Sequence, residues 1–305
     1  MSATATDLDE LIALRVLAQG GRLAAPRRSA AVRSGSHASR WRGRGVDFRE
    51  SRVYQAGDDI RHMDWRLTAR SGRAHTKVFE EEREQGLLLA VDFNPGMRFG
   101  TRKRFKSVQA GRAAALLAWL AADGGDRVGL IGFGGGIGGE VKPAGGRRGV
   151  LRVLRALRDW DAAADPGLLA PWSSVMPRIR RLLRPGMRLV VLSDGFDADP
   201  AAWSPLAQLA ARHDIAAVLL RDALEMAPPP PGRYALSSGG VKQTLDFSDA
   251  HLRAEWPRHF SAARDRVRAE SLRIGVRVLE LDTDADLKRT LAPLLARSRV
   301  VTGIA

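Results

Sequence analysis

The chain has 305 residues, with 49 Lys and Arg against 34 Asp and Glu, a net charge of +15, and no cysteine. Without cysteine there are no disulfides, thiolate zinc sites or cysteine nucleophiles. No apolar run approaches the roughly 20 residues that cross a membrane, and the first residues lack the basic-then-apolar order of a signal peptide, so a cytoplasmic location is expected.

The basic residues are spread through an Ala-, Arg- and Gly-rich chain and form no stripe interleaved with aromatics. That pattern points to compositional bias ahead of nucleic-acid binding. Asp7 to Leu17 is a helix candidate, with Asp7 as N-cap and Glu10 at the capping-box spacing. Arg22 to Arg44 is basic and poor in apolar residues, and is expected to be a linker or mobile arm. Such an arm offers one alternative function, contact with nucleic acid or another anionic surface.

From Gly43 to Glu84 the charges alternate in sign: Arg52, Asp58, Asp59, Arg61 and Asp64, with Tyr54 and Trp65 as apolar anchors. Two readings fit this segment. It is a partner-binding surface built from those seven residues, or a β-rich buttress whose Arg–Asp pairs hold irregular strands together.

Leu87 to Val91 is a short continuous apolar run without helical period, the pattern of a strand buried on both faces. It ends on Asp92, and Asn94-Pro95-Gly96 then turns the chain into a helix expected over Lys103 to Ala122. Asp126 to Phe133 is a second buried strand. Gly134 to Gly139 are expected as hairpin turn residues leading to an edge strand at Glu140 to Lys142. Helices are expected over Arg147–Trp160 and Ser173–Leu183.

Arg188 to Asp194 repeats the apolar run ending on a carboxylate. If the two strands are neighbours, Asp92 and Asp194 meet at one sheet edge, a donor pair suited to Mg²⁺; the plainer alternative is that each Asp caps a turn. Further on, a strand is expected at Ile215–Leu220, a β-hairpin over Arg233–Phe247, and a helix over Asp249–Leu272 kinked at Pro257. A strand at Ile274–Leu281 and a helix at Asp284–Ala296 complete the series. This alternation predicts an α/β fold with a doubly wound, mostly parallel sheet. It follows a helix and basic linker (1–42) and a β-rich segment (43–86), and occupies 87–300 with a hairpin insertion at about 222–248.

Arg52-Val-Tyr-Gln-Ala-Gly-Asp-Asp-Ile-Arg-His-Met-Asp-Trp-Arg-Leu-Thr-Ala-Arg70 resembles the signature of the bacterial DUF58 family. The resemblance implies a von Willebrand factor A-like domain after the signature. It also implies a non-enzymatic adaptor that works with a MoxR-type AAA+ ATPase in chaperone-like assembly, maturation or metal insertion. In such domains an Asp-x-Ser-x-Ser loop, a later Thr and a second Asp hold a divalent cation. Carried onto this chain, Asp92 and Asp194 match the two Asp, and Asn94 and Gly96 replace the two Ser. Ser173 or Ser174 stands nearest to the Thr. The implied metal set is therefore Asp92, Asn94, Asp194 and Ser173, with Mg²⁺ as the cofactor of a degenerate site. A metal-dependent hydrolase using the same pair ranks last, because no His or third strong ligand is placed beside it.

Overall fold

β3, Gly86–Asp92, is buried along its whole length because its two faces supply two different cores. Leu87, Leu89 and Val91 pack into one apolar cluster, while Leu88 and Ala90 pack into the other. A strand with period-two side chains and no polar position before its last residue has no solvent face to offer. Full burial of each leucine stabilises the fold by roughly 1.5–3 kcal/mol.

The computed structural model describes residues 3–24, 46–55, 57–81, 85–238 and 241–295. In chain order, α1 (Leu8–Ala13) and α2 (Arg15–Ala18) come first. β1 (Val46–Val53), α3 (Trp65–Ser71) and β2 (His75–Glu81) follow, and then β3. Next come α4 (Lys106–Asp123), β4 (Arg127–Phe133), β5 (Glu140–Ala144), α5 (Gly146–Ala163), α6 (Met176–Leu182) and β6 (Met187–Ser193). The remainder is α7 (Pro200–Ala210), β7 (Asp214–Arg221), α8 (Ala223–Met226), the hairpin β8 (Arg233–Ser238) and β9 (Val241–Asp246), α9 (Ala250–Arg273), β10 (Arg277–Asp282) and α10 (Leu287–Leu291).

Six strands form one sheet in the order β10-β7-β6-β3-β4-β5. All pairs are parallel except β4 with β5. The first strand of the sheet, β3, thus lies between the second and the fourth, so the connections leave it in opposite directions. This is a doubly wound α/β sheet with helices on both sides. On one side α4 is buried along nearly all its length, between the sheet and the N-terminal helices. Its run Ala113 to Ala122 is apolar all round, as a fully enclosed helix requires. Leu11, Leu14 and Ala18 complete its outer cover, and Trp119 Nε1 donates to Leu11 O at 3.1 Å.

The N-terminal residues are therefore packed parts of the α/β unit, which comprises residues 1–32 and 85–305. The expected single helix at the start is two, because α1 ends at Ala13 and α2 begins at Arg15. The helix expected from Ser173 is a 3₁₀ turn (Trp172–Ser174) followed by α6, with Pro177 near its start. The closing helix shortens to α10 and a 3₁₀ turn, Ala292–Leu294.

Residues 33–84 form a separate unit. Its described part is an antiparallel pair, β1 with β2, and between them a 3₁₀ turn (Ile60–His62) and α3. The segment expected to be β-rich thus contains a helix, capped by Asp64 and closed by Gly72 in the left-handed region (φ 69°). The basic arm beyond Ala24 and the hairpin turn at 239–240 lie outside the described residues.

Candidate functional site at the carboxyl ends of the strands

Asp92 and Asp194 follow the apolar runs of β3 and β6, neighbouring parallel strands, and both are buried. They lie where the strand order reverses, the place where ligand crevices form in open α/β sheets. Asp197, half-buried in the loop after β6, is the third member of the group. One carboxylate oxygen from each of Asp92, Asp194 and Asp197 lies within 4.8 Å of the others.

The fold binds these groups tightly. Asp92 Oδ1 accepts the Asn94 amide at 2.8 Å, and Oδ2 accepts the Ser193 hydroxyl at 2.5 Å. Ser193 Oγ in turn accepts Trp172 Nε1 at 3.2 Å and Gly195 N at 3.0 Å, which commits its own proton to Asp92. Burial, reinforced by the Asp194 charge, holds the Asp92 carboxyl well above the usual carboxylate range despite those hydrogen bonds. Burial and Asp194 also push Asp197 up to about 6, against the pull of Lys106.

Asp194 Oδ2 accepts the Lys106 ammonium at 2.8 Å, and Oδ1 accepts Phe196 N at 3.2 Å. Lys106 Nζ also donates to Glu225 Oε1 at 2.6 Å. Glu225 Oε2 accepts Asp222 N at 3.0 Å and Arg264 Nη1 at 3.3 Å. Asp222, after β7, accepts Thr101 N and Thr283 Oγ1. Asp282 closes β10 against Arg221. Four adjacent strands thus end on or beside a carboxylate, and each carboxylate is answered by a different internal partner.

The donor set implied for a divalent cation is not presented by this geometry. Asn94 spends its amide on the backbone of a neighbouring loop: Nδ2 donates to Ala170 O and Oδ1 accepts Ala170 N, both at 2.8 Å. Ser173 sits in the 3₁₀ turn and gives its N–H to Asp199 Oδ1, while Ser174 Oγ donates to Pro171 O. Gly96 has no side chain, and a Cβ there would lie 2.6 Å from Asp194 Oδ2. With Lys106 already on Asp194, the residues present do not fit the cation as the resemblance places it. Gly96→Ser, which restores the implied hydroxyl, is expected to destabilise the fold by about 1–3 kcal/mol through overpacking against a pinned carboxylate. An unchanged thermal midpoint would show that Asp194 can move aside.

The glycines after β4 turn the chain into the antiparallel edge strand β5, as expected, and have a second, tighter role. Gly134, Gly135 and Gly136 all have positive φ (78°, 57° and 73°), and a Cβ on Gly134 would lie 2.5 Å from Asn94 Oδ1. The loop has to be glycine to approach the end of β3 this closely.

In residues 33–84, the acidic residues expected to bind a partner are engaged locally. Asp58 accepts Arg52 Nη2 at 2.7 Å and Gln55 N at 2.9 Å. Asp59 caps the 3₁₀ turn and pairs with Arg61 at 2.7 Å, and these bonds hold its carboxyl near about 2. Asp64 caps α3 and accepts Ser51 Oγ at 2.7 Å. Tyr54 is half-buried. Trp65, expected as an anchor, is 66% exposed.

Sequence reasoning found Asp92 and Asp194 and missed Ser193, Asp197, Lys106, Glu225 and Arg264. Ser193 stands beside Asp194 at the end of the apolar run, so a hydroxyl neighbouring a strand-end Asp is the signal the sequence carries. Lys106 carries no such signal, because a lysine in the first turn of a helix reads as solvated.

The profile of a family described as a protein of unknown function, DUF58, matches residues 50–300. An uncharacterized protein of Mycobacterium bovis is 31% identical over 270 residues, covering 88% of this chain and 84% of that protein. An uncharacterized protein of Mycobacterium tuberculosis matches to the same extent. Among solved structures, the chain is similar to a conserved hypothetical protein, BatB, from Bacteroides thetaiotaomicron (14% identity, 63% of this chain and 98% of that one, TM-score 0.37). It is also similar to an aerotolerance-related membrane protein from Bacteroides fragilis (14% identity, 70% and 98%, TM-score 0.41). Among the described residues, no helix is long and apolar enough to cross a membrane.

Proposed function

The chain belongs to the DUF58 family, and from that premise we propose that it is a non-enzymatic protein-binding adaptor with a von Willebrand factor A-like core. Its partner is a MoxR-type AAA+ ATPase or that ATPase's client, and the service is chaperone-like assembly or maturation. One contact surface is the crevice at the carboxyl ends of β3 and β6.

What supports this reading is the prior commitment of the crevice carboxylates. Asp92 and Asp194 are fixed by Ser193, Asn94, Lys106 and Phe196. Each of their four carboxylate oxygens already accepts a hydrogen bond from the protein's own donors, which fixes the orientation of both carboxylates. Asp92 and Asp194 are buried and Asp197 is half-buried, so Asp197 is the carboxylate of this group that a partner can reach, and the fixed neighbours leave little ordering to complete when it arrives. The residues from Arg52 to Arg70 supply a second surface, of which Trp65 is the exposed aromatic.

The test is recovery of partners on tagged protein from native cells, in Mg²⁺ and in chelator, read by mass spectrometry. An AAA+ ATPase is expected in both, and Trp65→Ala and Asp197→Lys are each expected to reduce its yield. Recovery of no ATPase in either buffer would overturn the adaptor reading. Nucleic acid in its place, lost steeply with salt, would move the function to the basic arm.

A further inference from the structure

Lys106 opens α4 and is 1% exposed. Lysine is almost never fully buried without a partner, and a positive charge in the first turn opposes the helix dipole. Its position is therefore costly unless anions compensate, and two do. Nζ is 2.8 Å from Asp194 Oδ2 and 2.6 Å from Glu225 Oε1. The rings of Phe196 and Phe99 lie 5.2 Å and 5.9 Å from it, as cation–π partners. Two carboxylates at ion-pair distance on one side chain hold the ammonium in its charged form.

We propose that the Lys106 ammonium is the resident cation of the strand-end crevice, covalently attached, and that it keeps divalent ions out. Three observations converge on this. The lysine occupies Asp194, one of the two carboxylates a metal would need. Asn94, on the metal-loop position, is hydrogen-bonded at both ends of its amide to Ala170. Gly96, on the other loop position, cannot carry a hydroxyl without meeting Asp194. A divalent ion bridging Asp92, Asp194 and Asp197 would lie within a few ångströms of an ammonium in a poorly screened interior, where like charges repel strongly. One tethered positive charge answers Asp194 and Glu225 together, and so ties the β6 loop to the segment after β7. The inference concerns which cation the crevice holds and does not depend on the adaptor role, so either can fail without the other.

The experiment titrates the full, metal-stripped chain with Mn²⁺, following free Mn²⁺ by electron paramagnetic resonance, with Mg²⁺ as competitor. Wild type is expected to bind none up to about 1 mM, the weak end of protein sites for such ions. Lys106→Met removes the charge at similar volume. It is expected to gain one Mn²⁺ per chain, displaceable by Mg²⁺, with a Kd at least roughly tenfold below that limit. Stoichiometric Mn²⁺ on wild type would overturn the proposal, as would a folded Lys106→Met that binds no more tightly. If Lys106→Met does not fold, the wild-type titration decides alone: bound Mn²⁺ refutes the resident lysine and its absence supports it.

Discussion

Arg188→Ala is expected to lower the unfolding free energy of the α/β unit by about 3–5 kcal/mol, the usual cost of breaking a buried ion pair from one side. Arg188 is buried at the start of β6, and its guanidinium performs three tasks. Nε and Nη2 each lie 2.8 Å from Asp214 Oδ2, Nη2 donates to Ala24 O at 2.7 Å, and Nη1 reaches Leu294 O at 3.4 Å. Asp214 keeps a second partner in Arg277, at 2.8 Å, which places the cost toward the lower end of the range. The carbonyls of Ala24 and Leu294 lose their fork, however, and with it the bond between the N-terminal segment and the C-terminal turn loosens. Arg188→Lys keeps the charge but not the planar fork, and is expected to fall between wild type and Arg188→Ala. The check is a urea titration with unchanged slope together with limited proteolysis around residue 24. A loss below about 1 kcal/mol, ordinary for any point change, would mean that the strap is held by its own packing.

Asp92→Asn and Asp194→Asn are expected to differ sharply although the residues are neighbours. Asp194 is the counterion of a buried ammonium, so at pH 7 its amide variant is expected to cost about 3–5 kcal/mol. Asp92 is already held toward its neutral form by burial and by Asp194. Its amide variant is expected to cost about 1–2 kcal/mol, the price of one mismatched hydrogen bond. The sign with pH follows from the raised carboxyl. The raised carboxyl keeps its proton to higher pH in the fold than in the unfolded chain, which releases it near pH ~4, so the contribution is complete below that pH and is lost as pH rises toward the folded-state value. Raising the pH from acid toward neutral is therefore expected to narrow the gap between wild type and Asp92→Asn. A gap that widens would show that Asp92 is ionised in the fold.

Much of the sheet was legible because buried parallel strands have no polar position until they end. Leu87 to Asp92 and Leu189 to Asp194 show this pattern, and their neighbourhood follows from the doubly wound order. The chemistry around them was less legible, for reasons that are themselves physical. Asn94 stands where a metal ligand belongs by position, but position in a loop does not say which way an amide turns, and here it turns to Ala170. Lys106 reads as a solvated first-turn residue until Glu225, 119 residues later, is brought against it. In the segment from Arg52 to Arg70, alternating charge suggested strands braced by ion pairs. The pairs are present, but Asp59 and Asp64 act as caps, and what they cap is helical. Side chains that bond to the backbone two or three residues on leave the same trace in a sequence as side chains that bond across a sheet.

The bridge of Arg188 to Ala24 has a topological consequence. Arg188 is paired in register with Leu87, so the carbonyl of Ala24 lies one arginine side chain and one strand spacing, about 4.8 Å, from the start of β3. Ala24 and the start of β3 therefore lie at the same amino-terminal edge of the sheet. The strand pairings of the six-stranded sheet and its row of strand-end carboxylates are thus closed within the α/β unit, drawing on no residue between 33 and 84.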